Sequence, residues 1–466
     1  MLFNSYVFVL AFLPLLLAAW WLVPGQRSRL GLLTLASYVF YGWWNYRFVP
    51  LMILSTSADF VAGGQIYRAT TQRGKTVWLV GLLVFNLGLL GVFKYFDFFA
   101  RTWNAVLGSL HAPQLPLLHV ILPIGISFYT FNSISYTIDI YRGRLKPSRR
   151  FVEFAAFVAM FPHLIAGPIV RFSDMGDQFR KLRHSPRADE TALGLWLFVV
   201  GMAKKVLVAD VVAAQFVTPL FASAGSLRLV GAWLAVVGYT LQIYFDFSGY
   251  SDMAVGLALL LGLRFPQNFN SPYKATNPSD FWRRWHMSLS FWLRDYLFIP
   301  LGGSLGSLWK TTRNLVITMF LGGLWHGASW TFAAWGMYHG GLLAGHAAFK
   351  RRGWVPASRV VAVGATFFFV MIGWVLFRAE SLGTALGIVT AMAGLRGVEG
   401  LSGAWPTWGT GYLLWLLGGL IAVFTLPNTW QIRFPRTVSA AIVLAVLLMV
   451  CVLRFGVNSP FIYYQF

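Results

Sequence analysis

Apolar stretches alternate along this chain with short loops that carry Lys and Arg. A helix needs roughly 20 apolar residues to cross a bilayer, and basic loops mark the cytoplasmic side. The pattern predicts a first span before Arg27, and further spans near 31–45, 51–66, 77–98, 117–141, 191–222, 229–262, 360–378, 410–426 and 438–455, with a helix hairpin at 314–349. Counting spans between basic loops gives an expectation of about 12 and places both termini outside. The predicted fold is therefore an all-α polytopic membrane protein with one domain, residues 1–466.

The apolar segment "FVEFAAFVAMFPHLIAGPIV" departs from this rule. Basic loops flank it on both sides, so one crossing cannot connect them. Pro162, Gly167 and Pro168 also interrupt helices. Broken backbone at membrane depth is tolerated only against protein or a cavity. We therefore expect a re-entrant element here, and interfacial helices in the Trp-rich, basic region 264–313.

Composition supports a membrane protein and excludes several other classes. Hydrophobic residues make up 57% of the chain and charged residues 11%, whereas a soluble domain has about 25% charged residues. The net charge of +22 lies in the loops, which favours anionic lipid headgroups over nucleic acid. The single cysteine, Cys451, permits no disulfide within the chain.

Two histidines are candidates for chemistry. His326 lies in the apolar run "MFLGGLWHGASW", where it is either a general base or a structural histidine bonded to a carbonyl. His286 lies in "FWRRWHMSLSFWLRDY", which on pattern alone favours an interfacial helix with its arginines reaching into water. His339 and His346 follow, but no carboxylate or thiolate completes a ligand set, so we expect no metal.

Two carboxylates in "YFDFSGYSDMAVG" also stand in an apolar stretch. Asp246 and Asp252 are candidates for an ion path, for orienting a histidine, or for pairing with arginine, which we favour. The chain has no HExxH, nucleophile elbow, P-loop or dinucleotide motif in a suitable context.

Several long motifs in the same order resemble one family. "FWRRWHMSLSFWLRDYLFIPLGG", "LGGLWHG", "FPHLIAGPIVRF" and "YFDFSGYSDMAVGL" are similar to the membrane-bound O-acyltransferases, in particular a bacterial branch that includes an alginate O-acetylation membrane protein. The resemblance covers nearly the whole chain. It implies tilted helices around a central funnel or tunnel, where a cytoplasmic thioester donor meets an acceptor.

The resemblance also implies roles for residues. It makes His326 the catalytic base and brings His286 into the site, and physical chemistry agrees, because acyl transfer from a thioester needs a deprotonated hydroxyl and a stabilised oxyanion. We expect further residues to line the substrate tunnel: Trp285, Trp325, Asp295 and Tyr464.

The expected donor is acetyl-CoA or an acyl-carrier-protein thioester, with no tightly bound cofactor. The expected partners are a periplasmic SGNH-type acetyltransferase, an acyl carrier protein and membrane lipids. The expected location is the bacterial cytoplasmic (inner) membrane. The expected product is an O-acetylated extracytoplasmic polysaccharide. D-alanyl or peptidoglycan acyl transfer, or a proton-coupled transporter, are the alternatives.

The tail 456–466 ends in "NSPFIYYQF", which is aromatic and uncharged at a position where chains usually carry polar residues. Extended, the 12 residues after Arg454 reach roughly 40 Å, more than a hydrocarbon core of about 30 Å. The tail is either an aromatic anchor at the outer interface or an arm that enters the tunnel. The resemblance favours Tyr463 as an acyl acceptor, and the adjacent hydroxyl of Tyr464 keeps a second acceptor open.

Overall fold

A computed structural model describes residues 1–354, 358–398, 410–432, 434–456 and 461–462, and within these ranges the chain is helical and has no strands. The chain divides into two compact units. The first consists of Met1–Leu195 and Ala254–Pro266, and the second of Trp196–Met253 and Gln267–Phe466. The expected single domain over residues 1–466 stays a prediction.

The first part of the chain forms ten helices. They are α1 (Leu13–Leu22), α2 (Gln26–Asn45), α3 (Val49–Arg68), α4 (Gln72–Leu90), α5 (Phe96–Ser109), α6 (Ile126–Tyr141), α7 (Phe151–Ala159), α8 (Phe161–Leu164), α9 (Phe172–Arg180) and α10 (Ala188–Ala203). Helix α3 packs on α4 and α6, and α2 packs on α7. A buried amide–carboxylate bond joins α3 to α4, since Asn86 Nδ2 donates to Asp59 Oδ1 at 2.7 Å.

The predicted break in the segment 151–170 is confirmed. Helix α7 ends at Ala159, α8 spans four residues, and the backbone from Ile165 to Arg171 is not helical. Residues 154–170 are buried throughout. That the segment re-enters the membrane stays a prediction.

The predicted span 117–141 is wrong in its first part. Helix α6 begins at Ile126, and residues 112–123 have no regular structure. Pro113, Pro116 and Pro123 explain the difference, because each lacks a backbone N–H and restricts the residue before it to extended conformations. The apolar composition of this stretch had suggested a helix that its prolines prevent.

The described residues after α10 form eleven more α-helices. They are α11 (Asp210–Val212), α12 (Thr218–Ala222), α13 (Leu229–Leu260), α14 (Pro278–Trp282), α15 (Met287–Leu293), α16 (Leu308–His326), α17 (Trp330–Arg351), α18 (Arg359–Arg378), α19 (Leu382–Met392), α20 (Thr410–Thr425) and α21 (Val438–Leu453). Five of them begin at a cap whose side-chain hydroxyl accepts a backbone N–H of the first turn. These caps are Ser307, Ser329, Ser358, Ser381 and Thr437.

Four helical stretches in the described part of the chain are long and apolar enough to cross a bilayer. They are Gln26–Arg68, Gln72–Ser109, Leu229–Leu260 and Arg359–Arg378, and shorter apolar helices include Phe8–Leu22 and Val438–Leu453. The predicted hairpin at 314–349 is confirmed as α16 and α17. These observations support the all-helical membrane class.

Candidate functional site

The hairpin of α16 and α17 places His326 in the core of the second unit. His326 is the last residue of α16 and is only 5% exposed. The two helices meet at backbone distance, because a Cβ on Gly323 would lie 2.3 Å from the Phe332 carbonyl oxygen, and one on Gly336 would lie 2.3 Å from that of Met319. Small residues permit this approach. The glycines of "MFLGGLWHGASW" therefore set where the end of α16 lies.

His286 lies between α14 and α15 in a left-handed backbone conformation, with φ 42° and ψ 54°. Such a conformation is uncommon for a residue with a side chain and clusters at functional sites. The imidazole is fully buried. His286 therefore interrupts the helical segments and is buried, while the interfacial position of the neighbouring helices stays a prediction.

Asn268 fixes the ring of His286. Its Oδ1 lies 3.2 Å from His286 Nδ1 and also accepts the Ser288 hydroxyl at 2.8 Å, while its Nδ2 donates to Ser251 Oγ at 3.1 Å. Because Oδ1 accepts, Nδ1 carries the ring proton in the neutral ring. Nε2 then carries a lone pair, and it is buried without a hydrogen-bond partner among the described residues.

Burial also keeps this ring neutral. Desolvation lowers the pKa of His286 to about 3. The ring therefore offers an unprotonated Nε2 at neutral pH, ready to accept a hydrogen bond or a proton.

The two predicted histidines lie together. Their ring centroids are 6.4 Å apart, and Trp325 contacts both, at 6.2 Å from His286 and 4.9 Å from His326. His326 also packs edge-to-face against Trp335 at 5.1 Å and Phe377 at 5.3 Å. The site is therefore a pair of imidazoles in a wall of aromatic rings.

Buried polar nitrogens cluster beside this pair. Trp282 lies 5.7 Å from Trp335, which lies 4.9 Å from His339. Trp282 Nε1, Trp335 Nε1 and His339 Nε2 are buried and have no hydrogen-bond partner in the part of the chain that the structure describes. An unsatisfied buried polar group costs about 1–3 kcal/mol, so three such groups on neighbouring side chains call for a polar ligand.

Two of the other predicted site residues are buried tryptophans, and a third is a half-buried aspartate. Trp285 and Trp325 are buried in the aromatic wall, with Trp285 4.7 Å from Trp374. Asp295 is half-buried and forms an ion pair with Arg294 at 2.6 Å. Its role in the tunnel stays a prediction.

The expected pairing of Asp246 and Asp252 with arginine is wrong. Lysines take both places: Lys205 Nζ lies 2.7 Å from Asp246 Oδ1, and Lys204 Nζ lies 2.6 Å from Asp252 Oδ2. Both lysines belong to a single π-helical turn, Lys204–Ala209, that directly follows α10.

The described part of the tail also reaches this core. Phe461 and Ile462 are each 2% exposed. The ring of Phe461 lies 4.6 Å from Tyr250 and 6.1 Å from Phe247, and Phe247 packs edge-to-face on His286 at 4.7 Å. Tyr463 and Tyr464 lie outside the described residues.

A cavity of about 300 Å³ lies behind Trp282. Its lining combines aromatic, apolar and basic side chains, including Trp282, Arg283, Phe291, Arg294, Phe298 and Met319. Trp282 contacts Trp335, which in turn packs on His326, so one aromatic ring stands between the cavity-lining Trp282 and the histidine pair.

Some of these residues had no signal in the sequence. Asn268 stands in "FPQNFNSPY" as one of several polar residues in a loop, and Trp335 and His339 are ordinary members of an apolar helix. Only their contacts mark them: Asn268 binds His286, Trp335 packs on His326, and His339 packs on Trp335 and Trp282.

The chain is similar to known proteins over most of its length. The model of MBOAT, the membrane-bound O-acyltransferase family, matches residues 144–382, which include both histidines and Asn268. The chain is 48% identical over 394 residues to the probable alginate O-acetylase of Azotobacter vinelandii, covering 84% of this chain and 78% of that protein. It is 47% identical over 393 residues to the Pseudomonas aeruginosa counterpart (84% and 75%) and 39% identical over 431 residues to the peptidoglycan O-acetyltransferase of Helicobacter pylori (86% and 81%).

Proposed function

The chain belongs to the membrane-bound O-acyltransferase family, and from this premise we propose that it moves acetyl groups from a cytoplasmic thioester, through its own C-terminal tyrosine, towards an extracytoplasmic polysaccharide. Membership makes the protein a membrane acyltransferase. The observation that supports a site at its centre is the buried pair His286–His326, with ring centroids 6.4 Å apart.

In the proposed reaction, His326 removes the proton from the acceptor hydroxyl, and the oxygen attacks the thioester carbonyl. A C–O bond forms, the C–S bond breaks, and the proton returns to the leaving thiolate. The oxyanion of the intermediate needs preorganised donors. The buried indole N–H groups of Trp282 and Trp335 are of the right kind. His286, with its Nε2 lone pair, holds a proton or the acceptor hydroxyl in place.

The proposed donor is acetyl-CoA or an acyl-carrier-protein thioester. Both carry phosphate next to an extended, mostly uncharged pantetheine arm. The cavity beside Trp282 suits such an arm, because Arg283 and Arg294 line it together with Trp282. These contacts support the route of the donor towards the histidines.

The proposed first acceptor is Tyr463. It is bonded to Ile462, which is buried in the same unit as the histidines. The adjacent Tyr464 is the second candidate. The acyl tyrosine then passes its acetyl group to a periplasmic SGNH-type transferase, which completes the modification of the polymer.

The proposed polymer is alginate or a similar exopolysaccharide, because the relatives at 47–48% identity are named alginate O-acetylases. The H. pylori relative favours peptidoglycan as the second candidate. We further propose about 12 spans around a central funnel in the bacterial inner membrane, with both termini outside.

A direct test uses His326→Ala in a host whose exopolysaccharide acetylation depends on this gene. Loss of a positioned base typically lowers the rate about 10²–10⁴-fold, so polymer acetyl content should fall to background while the protein remains in the membrane. Normal acetylation at normal protein levels would refute the enzyme mechanism and favour the transporter alternative.

A further inference from the structure

A buried ion network lies beside the described end of the tail. Asp246, on α13, is 1% exposed, and Lys205 Nζ lies 2.7 Å from its Oδ1 and 2.6 Å from Asp210 Oδ1. One lysine thus bridges two carboxylates. A buried carboxylate needs hydrogen-bond donors on both of its oxygens, because desolvation is costly without them. Lys205 lies beside Oδ1 of Asp246.

The second carboxylate oxygen of Asp246, Oδ2, binds the tail. The backbone N–H of Ile462 donates to Asp246 Oδ2 at 2.9 Å, across 216 residues of sequence. This bond is charge-assisted and buried, which makes it stronger than an ordinary amide hydrogen bond. It engages the backbone of Ile462, the residue directly before Tyr463 in the sequence.

Aromatic packing reinforces the same placement. Phe461 lies against Tyr250 at 4.6 Å and Phe247 at 6.1 Å, four residues and one residue after Asp246 on α13. Phe247 in turn contacts His286 at 4.7 Å. The carboxylate and these rings therefore hold the tail on the helix that also borders the catalytic histidine pair.

We propose that the Lys205–Asp246 pair is a tail clamp that positions the C-terminal segment for acylation. The proposal rests on the proposed function only in assigning a purpose to the clamp; the docking itself is a separate claim. Lys205 places its ammonium group beside Oδ1 of Asp246, and Oδ2 of Asp246 holds the Ile462 amide. Asp246 touches no reacting atom, so it is a positioning residue.

The chain offers a matched control on the same helix. Asp252, six residues further along α13, is also buried and paired with a lysine, but its other partners are Thr429 Oγ1 at 2.9 Å and Trp430 Nε1 at 3.2 Å. Replacing either aspartate by leucine removes one lysine-paired carboxylate from α13. Only Asp246→Leu removes the tail contact.

The experiment follows the C-terminus of the detergent-purified full chain by mass spectrometry during carboxypeptidase digestion. We expect Asp246→Leu to lose its terminal residues on the order of tenfold faster than the wild type, the effect of one buried charge-assisted hydrogen bond. Asp252→Leu should be digested at the wild-type rate. Equal digestion of Asp246→Leu and wild type, or equal acceleration by both substitutions, would overturn the clamp.

A second readout separates the clamp from the chemistry. With labelled acetyl-CoA, Asp246→Leu should lose tail acetylation about tenfold but still acetylate a soluble phenol such as p-cresol, because the histidines are untouched. If the wild-type tail resists digestion through Asp246 yet receives no acetyl group, the carrier mechanism fails and the clamp stands.

Asp246→Asn tests the tail clamp if the Asp246→Leu variant does not fold. The amide keeps the volume and one acceptor oxygen but loses the charge, which roughly halves the strength of the bond. Its C-terminus should be digested faster than that of the wild type. A wild-type rate in this variant would overturn the clamp.

Discussion

His286 and His326 lie 6.4 Å apart, centroid to centroid, although 40 residues separate them in the chain. One histidine ends a helix and the other interrupts a helical segment, so both rings project from backbone that is not continued as a regular helix. Five predictions follow from their surroundings.

Removing the ring nitrogens of His286 should stop the reaction. His286→Phe keeps a buried ring of similar size, and we expect acetyl transfer to fall at least about 10²-fold, the lower range for a proton-transfer group. The measurement is turnover of labelled acetyl-CoA by purified protein.

His163→Phe is the control for this substitution. His163 is equally buried, but it lies in the first unit, and Phe157 O and Asn132 lie near its two ring nitrogens, at 3.0 Å and 3.4 Å. The His163→Phe substitution should lower the stability of the protein without lowering turnover per folded molecule. Equal losses of turnover in both variants would show that burial rather than chemistry explains His286.

The charge at position 268 should control the pH dependence. In the wild type, His286 has a pKa of about 3, so it stays neutral and adds no acid limb between pH 5 and 8. Asn268→Asp places a carboxylate beside Nδ1, which stabilises the imidazolium and raises the pKa of His286. Activity of this variant should therefore be lost as pH falls, with an acid limb at higher pH than in the wild type. An unchanged profile would contradict the role of Nε2 as an acceptor.

The indole N–H of Trp335 should stabilise the transition state. Trp335→Phe keeps a large ring against His326 and removes only the donor. Losing one oxyanion donor costs about 10²–10³-fold in kcat, so kcat should fall with KM nearly unchanged. Trp292→Phe, in a buried contact with Tyr296 at 5.1 Å, is the control and should retain kcat. A change confined to KM would assign Trp335 to substrate binding and not to stabilisation of the transition state.

The close approach of α16 and α17 should tolerate no side chain at Gly323. An added Cβ would lie 2.3 Å from the Phe332 carbonyl oxygen, so Gly323→Ala must push the helices apart, and overpacking typically costs about 1–3 kcal/mol. We expect a lower unfolding temperature and loss of activity. Gly341 lies on α17, and no atom lies within 4 Å of a Cβ added there. Gly341→Ala should therefore leave the unfolding temperature and the activity near those of the wild type. Equal stability of the two variants would argue against the backbone contact.

Substitutions of Tyr463 and Tyr464 should differ in their effect on acetylation of the tail. Tyr463→Phe removes one hydroxyl and keeps the ring, so tail acetylation, detected by mass spectrometry of the C-terminal peptide, should disappear. Tyr464→Phe should retain it. The reverse pattern would reassign the acceptor to Tyr464, and normal polymer acetylation in both variants would exclude the tail as a carrier.

The sequence by itself determined the class of the protein and its candidate chemistry. Apolar length, basic loops and motif order identified a helical membrane acyltransferase, and His286 and His326 stood out because ionisable groups in apolar runs are costly. These are local properties, readable from neighbouring residues. Predictions from neighbouring residues were wrong at two places. Residues 117–125 are not helical, because their prolines prevent the helix that their hydrophobicity suggests. The partner of Asp246 is a lysine and not the expected arginine.

Only the tertiary structure decided which residues act together. Asn268, Trp335 and His339 carry no local signal. Their importance arises from contacts with His286, His326 and Trp282, which lie 18, 9 and 57 positions from them in the chain. The contact between Asp246 and Ile462 spans 216 residues. Such pairings depend on how the helices pack, because hydrogen bonds and ring contacts act over a few ångströms in space, whatever the separation along the chain.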